Sequence, residues 1–141
     1  MGKGGTMSVP KSKRSPCILQ AALKARELCV HTLHLTKGKK FIPEYQEALT
    51  NHINALAISI YINVRTANDI VVKNEDDLKD RVSLQKKAAA SCNNLMYLIS
   101  VAHHLFHLRS RSVVNWCNMA IETRDIIKSW SDSDKKRYKG I

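Results

Sequence analysis

His103, His104 and His107 are the residues whose types and spacing first suggest chemistry. His103 and His107 stand at i and i+4, so on a helix they would share one face and could share one metal ion. A zinc-protease helix, however, needs an acidic base directly after its first histidine, and position 104 holds another His. A carboxylate-bridged di-metal bundle needs Glu-x-x-His pairs, and the chain has none. The histidines therefore read as groups that cap the end of a helix or face solvent beside Arg109. His31 and His34 read as polar-face residues. Cys17, Cys29, Cys92 and Cys117 show no Cys-x-x-Cys spacing, and each falls at a helix-like position where a reduced thiol packs as a small hydrophobe. No disulfide is expected. No Gly-rich phosphate loop or serine elbow is present. The expectation is a protein that is not an enzyme and holds no metal or other cofactor.

The cations make a stronger pattern. The chain carries 23 Lys+Arg against 12 Asp+Glu, a formal charge of +11 with a pI near 9.7, and such a field attracts polyanions. The surplus is spread over both ends and the middle of the chain. Lys11, Lys13 and Arg14 lie in an N-terminal segment without acids, and Lys37, Lys39 and Lys40 follow the first apolar-periodic segment. Arg109 and Arg111 separate the third from the fourth, and Lys135, Lys136, Arg137 and Lys139 lie near the C-terminus. These twelve residues are the candidate contacts to nucleic-acid phosphates. Such contacts act through counterion release and set affinity rather than sequence choice, and no base-reading motif accompanies them.

Helices must position these groups. With 141 residues, 44% of them hydrophobic and 25% charged, the composition is that of one globular domain. The most apolar stretch, 55–64, is short and contains Ser59 and Asn63, so no membrane contact is expected. The first ten residues lack the apolar core of a secretory signal, and a cytoplasmic location is expected. Residues 1–14 read as a flexible basic arm in which Met7 is an alternative start to Met1, residues 15–131 as the folded bundle, and 132–141 as a basic tail.

Ser15 as N-cap and Pro16 at the first helical position open helix 1, whose stripe is Ile18, Ala22, Ala25, Cys29 and Leu33. Gly38 is expected to supply a left-handed stop. Pro43 opens helix 2, with Glu44 and Glu47 in the first turn and Leu49, Ile53, Leu56, Ile60, Val64 and Ala67 inward. Asn74 caps helix 3, which carries Leu84, Ala88, Ser91, Leu95, Leu98, Ala102 and Leu105 to about Leu108. Helix 4, capped by Ser110 or Ser112, places Val113, Cys117, Ala120 and Ile127 inward and ends near Trp130. Short links make neighbours antiparallel, so the expected fold is an all-α up-down-up-down four-helix bundle. Ile58, Tyr61, Ile62 and Met96 lie outside the main stripes and suggest a homo-oligomer.

Several stretches carry a family resemblance. They are Lys24-Ala25-Arg26-Glu27-Leu28, Lys40-Phe41-Ile42-Pro43-Glu44-Tyr45, Ala67-Asn68-Asp69-Ile70, Trp116, and Ser129-Trp130-Ser131-Asp132-Ser133-Asp134-Lys135-Lys136-Arg137-Tyr138. Over about residues 15–139 the chain resembles the Avd-like proteins, accessory variability determinants of diversity-generating retroelements. These are akin to the bundles encoded in 23S ribosomal RNA intervening sequences. The resemblance implies a homopentameric barrel that binds the element's reverse transcriptase and its template RNA or cDNA. Polymerase chemistry then belongs to the partner. The alternative it leaves open is a stand-alone RNA-associated bundle of the intervening-sequence type. The chain departs from the family at Gln46 and His52, where members often carry further basic residues.

Overall fold

The computed structural model describes residues 16–140, and the described residues are helical with no strand. Four helices account for most of them: α1 (Pro16–Leu35), α2 (Asn51–Asp69), α3 (Glu75–Phe106) and α4 (Ser110–Arg137). Each packs against the next in the chain, and α4 closes the set against α1. No helix among the described residues is long and apolar enough to cross a membrane. Ser15, Lys11, Lys13 and Arg14 lie outside the described residues.

Local chemistry explains most boundaries. Pro16 is the first described residue of α1. Asn74 is extended, and its side-chain oxygen accepts the Asp77 N–H at 2.9 Å, satisfying an otherwise orphan donor. At the other end of α3, His107 adopts a left-handed conformation with φ 54°. The carbonyl of His103 then accepts both the His107 and Leu108 N–H groups, which stops the helix.

Four expected boundaries are corrected. Gly38 is not left-handed; α1 ends at Leu35 and unwinds through tightened turns. At 38 an added Cβ would stand 3.1 Å from the Leu35 carbonyl oxygen, a tight contact that a larger residue would relieve only by shifting the backbone there. Pro43 begins a 3₁₀ turn to Tyr45 and then a widened π turn, Gln46–Thr50, before α2 proper. Neither Ser110 nor Ser112 caps α4, whose N-cap is Arg109 without a side-chain bond. Finally, α4 runs past Trp130 to Arg137, so Lys135, Lys136 and Arg137 stand on its last turns.

The core seams are Ala21, Ala25, Leu28 and Thr32 of α1, and Ile53, Ala57, Ile60, Val64 and Ala67 of α2. On α3 the buried face is Arg81, Gln85, Ala88, Cys92, Leu95, Ile99, Ala102 and Phe106. This is rotated from the expected stripe: Leu84, Ser91 and Leu98 are half-buried and Leu105 is exposed. Cys92, Ile99 and Phe106 take the buried places instead, and two polar residues continue that face toward the start of the helix. Arg81 and Gln85 turn inward because both bond Asp134 of α4. On α4 the buried residues are Trp116, Ala120, Thr123, Ile127, Trp130, Ser131 and Asp134, while Val113 and Cys117 are half-buried. Burying the Trp116 indole requires a partner for its N–H, and Thr32 Oγ1 accepts it at 2.9 Å.

Candidate nucleic-acid interface

At one end of the bundle four aromatic rings from four segments meet. Phe41 follows the basic turn after α1, Tyr45 opens the approach to α2, Phe106 ends α3 and Trp116 lies in the second turn of α4. The Phe41 and Phe106 rings are 5.0 Å apart, Phe41 and Trp116 6.3 Å, and Tyr45 and Phe106 6.0 Å, in tilted or edge-on arrangements that suit the ring quadrupoles. Phe41 is buried, so the turn that carries Lys37, Lys39 and Lys40 is anchored by its own next residue.

That anchor brings the first and third turns together. Lys40 Nζ donates to the His107 carbonyl oxygen at 3.2 Å, across a sequence separation of 67 residues. Between the turns lies a groove of about 310 Å³ lined by Lys39, Lys40 and Arg109, with Phe41 and Trp116 among its floor residues. All five turn cations, Lys37, Lys39, Lys40, Arg109 and Arg111, are exposed. Such an arrangement presents exposed positive charge beside a buried aromatic cluster, and exposed cations are the groups that can contact phosphate backbone.

The remaining candidates are not part of this cluster. Arg111 opens α4, and Lys135 lies 24 residues further along it, roughly 36 Å away along the axis. Lys136 and Lys139 are exposed near that far end with Lys135. The candidate residues are thus divided between the two ends of α4. The aromatic anchor was missed in the sequence, although a signal was present: Phe41 directly follows Lys40, and Phe106 and Trp116 bracket Arg109 and Arg111.

The histidines do not converge on one site. His103 is half-buried and His104 and His107 are exposed, and among the described residues no three His, Cys, Asp or Glu side chains form a metal-binding group. Burial holds the half-buried His31 below the usual histidine range, with His34 adding to the effect. Cys29, Cys92 and Cys117 are free thiols, and burial pushes Cys92 up to about 12, away from the range of a nucleophile. On the exposed surface, Lys24 Nζ donates to Glu122 Oε1 at 3.0 Å, and that bond raises the lysine.

No family model, curated protein or solved structure matches this chain.

Proposed function

We propose that this protein is a non-catalytic nucleic-acid-binding bundle whose turn cations hold phosphate backbone, and that it serves as the accessory protein of a diversity-generating retroelement. The observation that carries the binding role is the Lys40–His107 contact, which joins two basic turns from opposite halves of the chain over one groove. The retroelement assignment rests on the sequence resemblance. On this reading the chain supports mutagenic reverse transcription by binding the reverse transcriptase and its template RNA or cDNA, and it acts in the cytoplasm.

An up-down-up-down arrangement is supported by the paired contacts along α1 and α4. Lys24 meets Glu122, Thr32 meets Trp116, and Lys40 beyond α1 meets His107 before α4. One sequence number rises while the other falls. Assembly into a homo-oligomer, a pentamer in the family, is supported by large apolar side chains left outside the core, including Leu19, Leu23 and Val30 on α1 and Tyr97 on α3.

Gel-shift titration of the charge-reversed variant at Lys39, Lys40, Arg109 and Arg111, on two unrelated RNAs and one DNA, tests the binding role. Affinity should fall alike on all three, and the unmodified chain should show a log K against log salt slope near −4 to −5 on duplex, about four to six phosphates. Unchanged affinity would reduce these turns to a solvated rim. A neighbouring reverse-transcriptase gene with a template and variable repeat pair would support the retroelement role, and its absence would favour the intervening-sequence type.

A further inference from the structure

Away from the turn cluster, α3 and α4 enclose a second groove, of about 390 Å³, into which Lys86 of α3 and Lys128 and Lys135 of α4 converge. All three lysines are exposed, and none makes an ion pair with any described residue. Like charges gathered on one groove repel each other, so the arrangement favours an anionic occupant.

The run Asp132-Ser133-Asp134-Lys135 suggests balanced charge in the sequence. The fold removes that balance. Asp134 is turned into the core, 1% exposed, where Arg81 Nε and Gln85 Nε2 donate to it at 2.9 and 2.7 Å. Only Asp132 remains on the groove to oppose three lysines. Polar donors add to them. Arg124 Nη1 donates to Asn93 Oδ1 at 3.0 Å, which leaves the Asn93 amide N–H groups as donors at the groove wall.

The lysines are spread along the groove. Lys128 and Lys135 are seven residues apart, about 10 Å along the helix axis. An extended polyanion such as a nucleic-acid strand, with one charge per nucleotide, can meet each of the three lysines with its own phosphate. We infer that the α3–α4 groove is a second, separate contact for nucleic-acid phosphodiester backbone, held by Lys86, Lys128 and Lys135. Its ligand class rests on the polyanion reading above, but its residues are not those of the turn cluster. Arg111 and Lys128 are separated by roughly 26 Å along α4, so the two contacts engage different phosphates.

The test compares the full-length chain with the variant K86Q/K128Q/K135Q and with the turn variant reversed at Lys39, Lys40, Arg109 and Arg111. Circular dichroism verifies the helical fold of each. Binding to a 24-base-pair DNA duplex is followed by fluorescence anisotropy across a salt series, and binding of pyrophosphate by calorimetry. The triple variant should lose about tenfold in duplex affinity and about two to three units of the log K against log salt slope, with a further loss when the two sets are combined. Unchanged duplex binding by the triple variant, with loss in the turn variant, would overturn the second contact and leave the first standing. Loss of pyrophosphate binding alone would make the groove a small-phosphate site and overturn the backbone assignment. Unchanged binding in both variants would overturn both readings.

Discussion

Arg81 Nε donates to Asp134 Oδ2 at 2.9 Å, and the two side chains are 6% and 1% exposed, so the start of α3 is locked to the end of α4 by a buried ion pair. Arg81 Nη1 also donates to the Ile70 carbonyl at 3.1 Å, and its guanidinium lies 5.3 Å from the Trp130 ring centroid. One arginine therefore fastens the α2–α3 link, α3 and α4 together. Arg81→Met leaves the Asp134 carboxylate buried beside the Gln85 amide with its charge unpaired by Arg81, and stability should fall by about 3–5 kcal/mol. The double variant R81M/D134L removes both charges and should recover most of the loss. Urea denaturation of the two variants checks this; equal losses would mean that the pair is no more than two packed side chains.

A matched pair of threonines gives opposite signs for one substitution. Thr32 Oγ1 accepts the buried Trp116 indole N–H, so Thr32→Val orphans that donor and should cost about 1–3 kcal/mol. Thr50 Oγ1 is fully buried without a hydrogen-bond partner, so Thr50→Val removes an unsatisfied group and should be neutral or stabilising. Thermal melts of the two variants distinguish the cases, and a Thr50→Val loss as large as that of Thr32→Val would contradict the reading.

These polar pairs also mark where sequence reading reached its limit. Helix number was legible from apolar periodicity, and the Asn74 cap because it depends on residues within one turn. The polar start of the α3 seam was not, since periodicity in apolar residues cannot reveal that Arg81 and Gln85 face inward toward an acid 53 and 49 residues away. The same acid explains why α4 continues past Trp130: its last turns carry a core residue, not only tail charges. For the site, the basic turns were legible as charge, whereas the aromatic ring contacts that join them are long-range packing.

Alkaline pH should weaken the fold through Cys92. Burial raises this thiol to about 12 in the native chain from 9.0, so above pH 9 the unfolded chain loses the proton while the folded chain keeps it. The stabilisation is fully present below pH 9 and is lost as pH rises toward 12, at up to about 1.4 kcal/mol per pH unit. Urea midpoints measured from pH 8 to 11 should decline more steeply for the parent chain than for Cys92→Ala. Native Cys92 should likewise resist iodoacetamide at pH 8 and react once urea unfolds the chain.

The last prediction separates positioning from charge at the turn cluster. Phe41→Leu keeps an apolar side chain but removes the ring that meets Phe106 and Trp116, and stability should fall by about 1–2 kcal/mol. No cation is lost, so the number of counterions released on binding duplex is unchanged and the log K against log salt slope should be that of the parent. Affinity itself should drop several-fold, because a loosened first turn must be reordered before Lys39 and Lys40 can act beside Arg109. Lys39→Gln, by contrast, removes one charge without touching the rings and should lower the slope by about 0.9. Anisotropy titrations over a salt series read both quantities at once. A reduced slope in Phe41→Leu would mean that the substitution displaces the cations from their phosphates altogether, and an unchanged affinity would show that the aromatic anchor stabilises the bundle without positioning its charges.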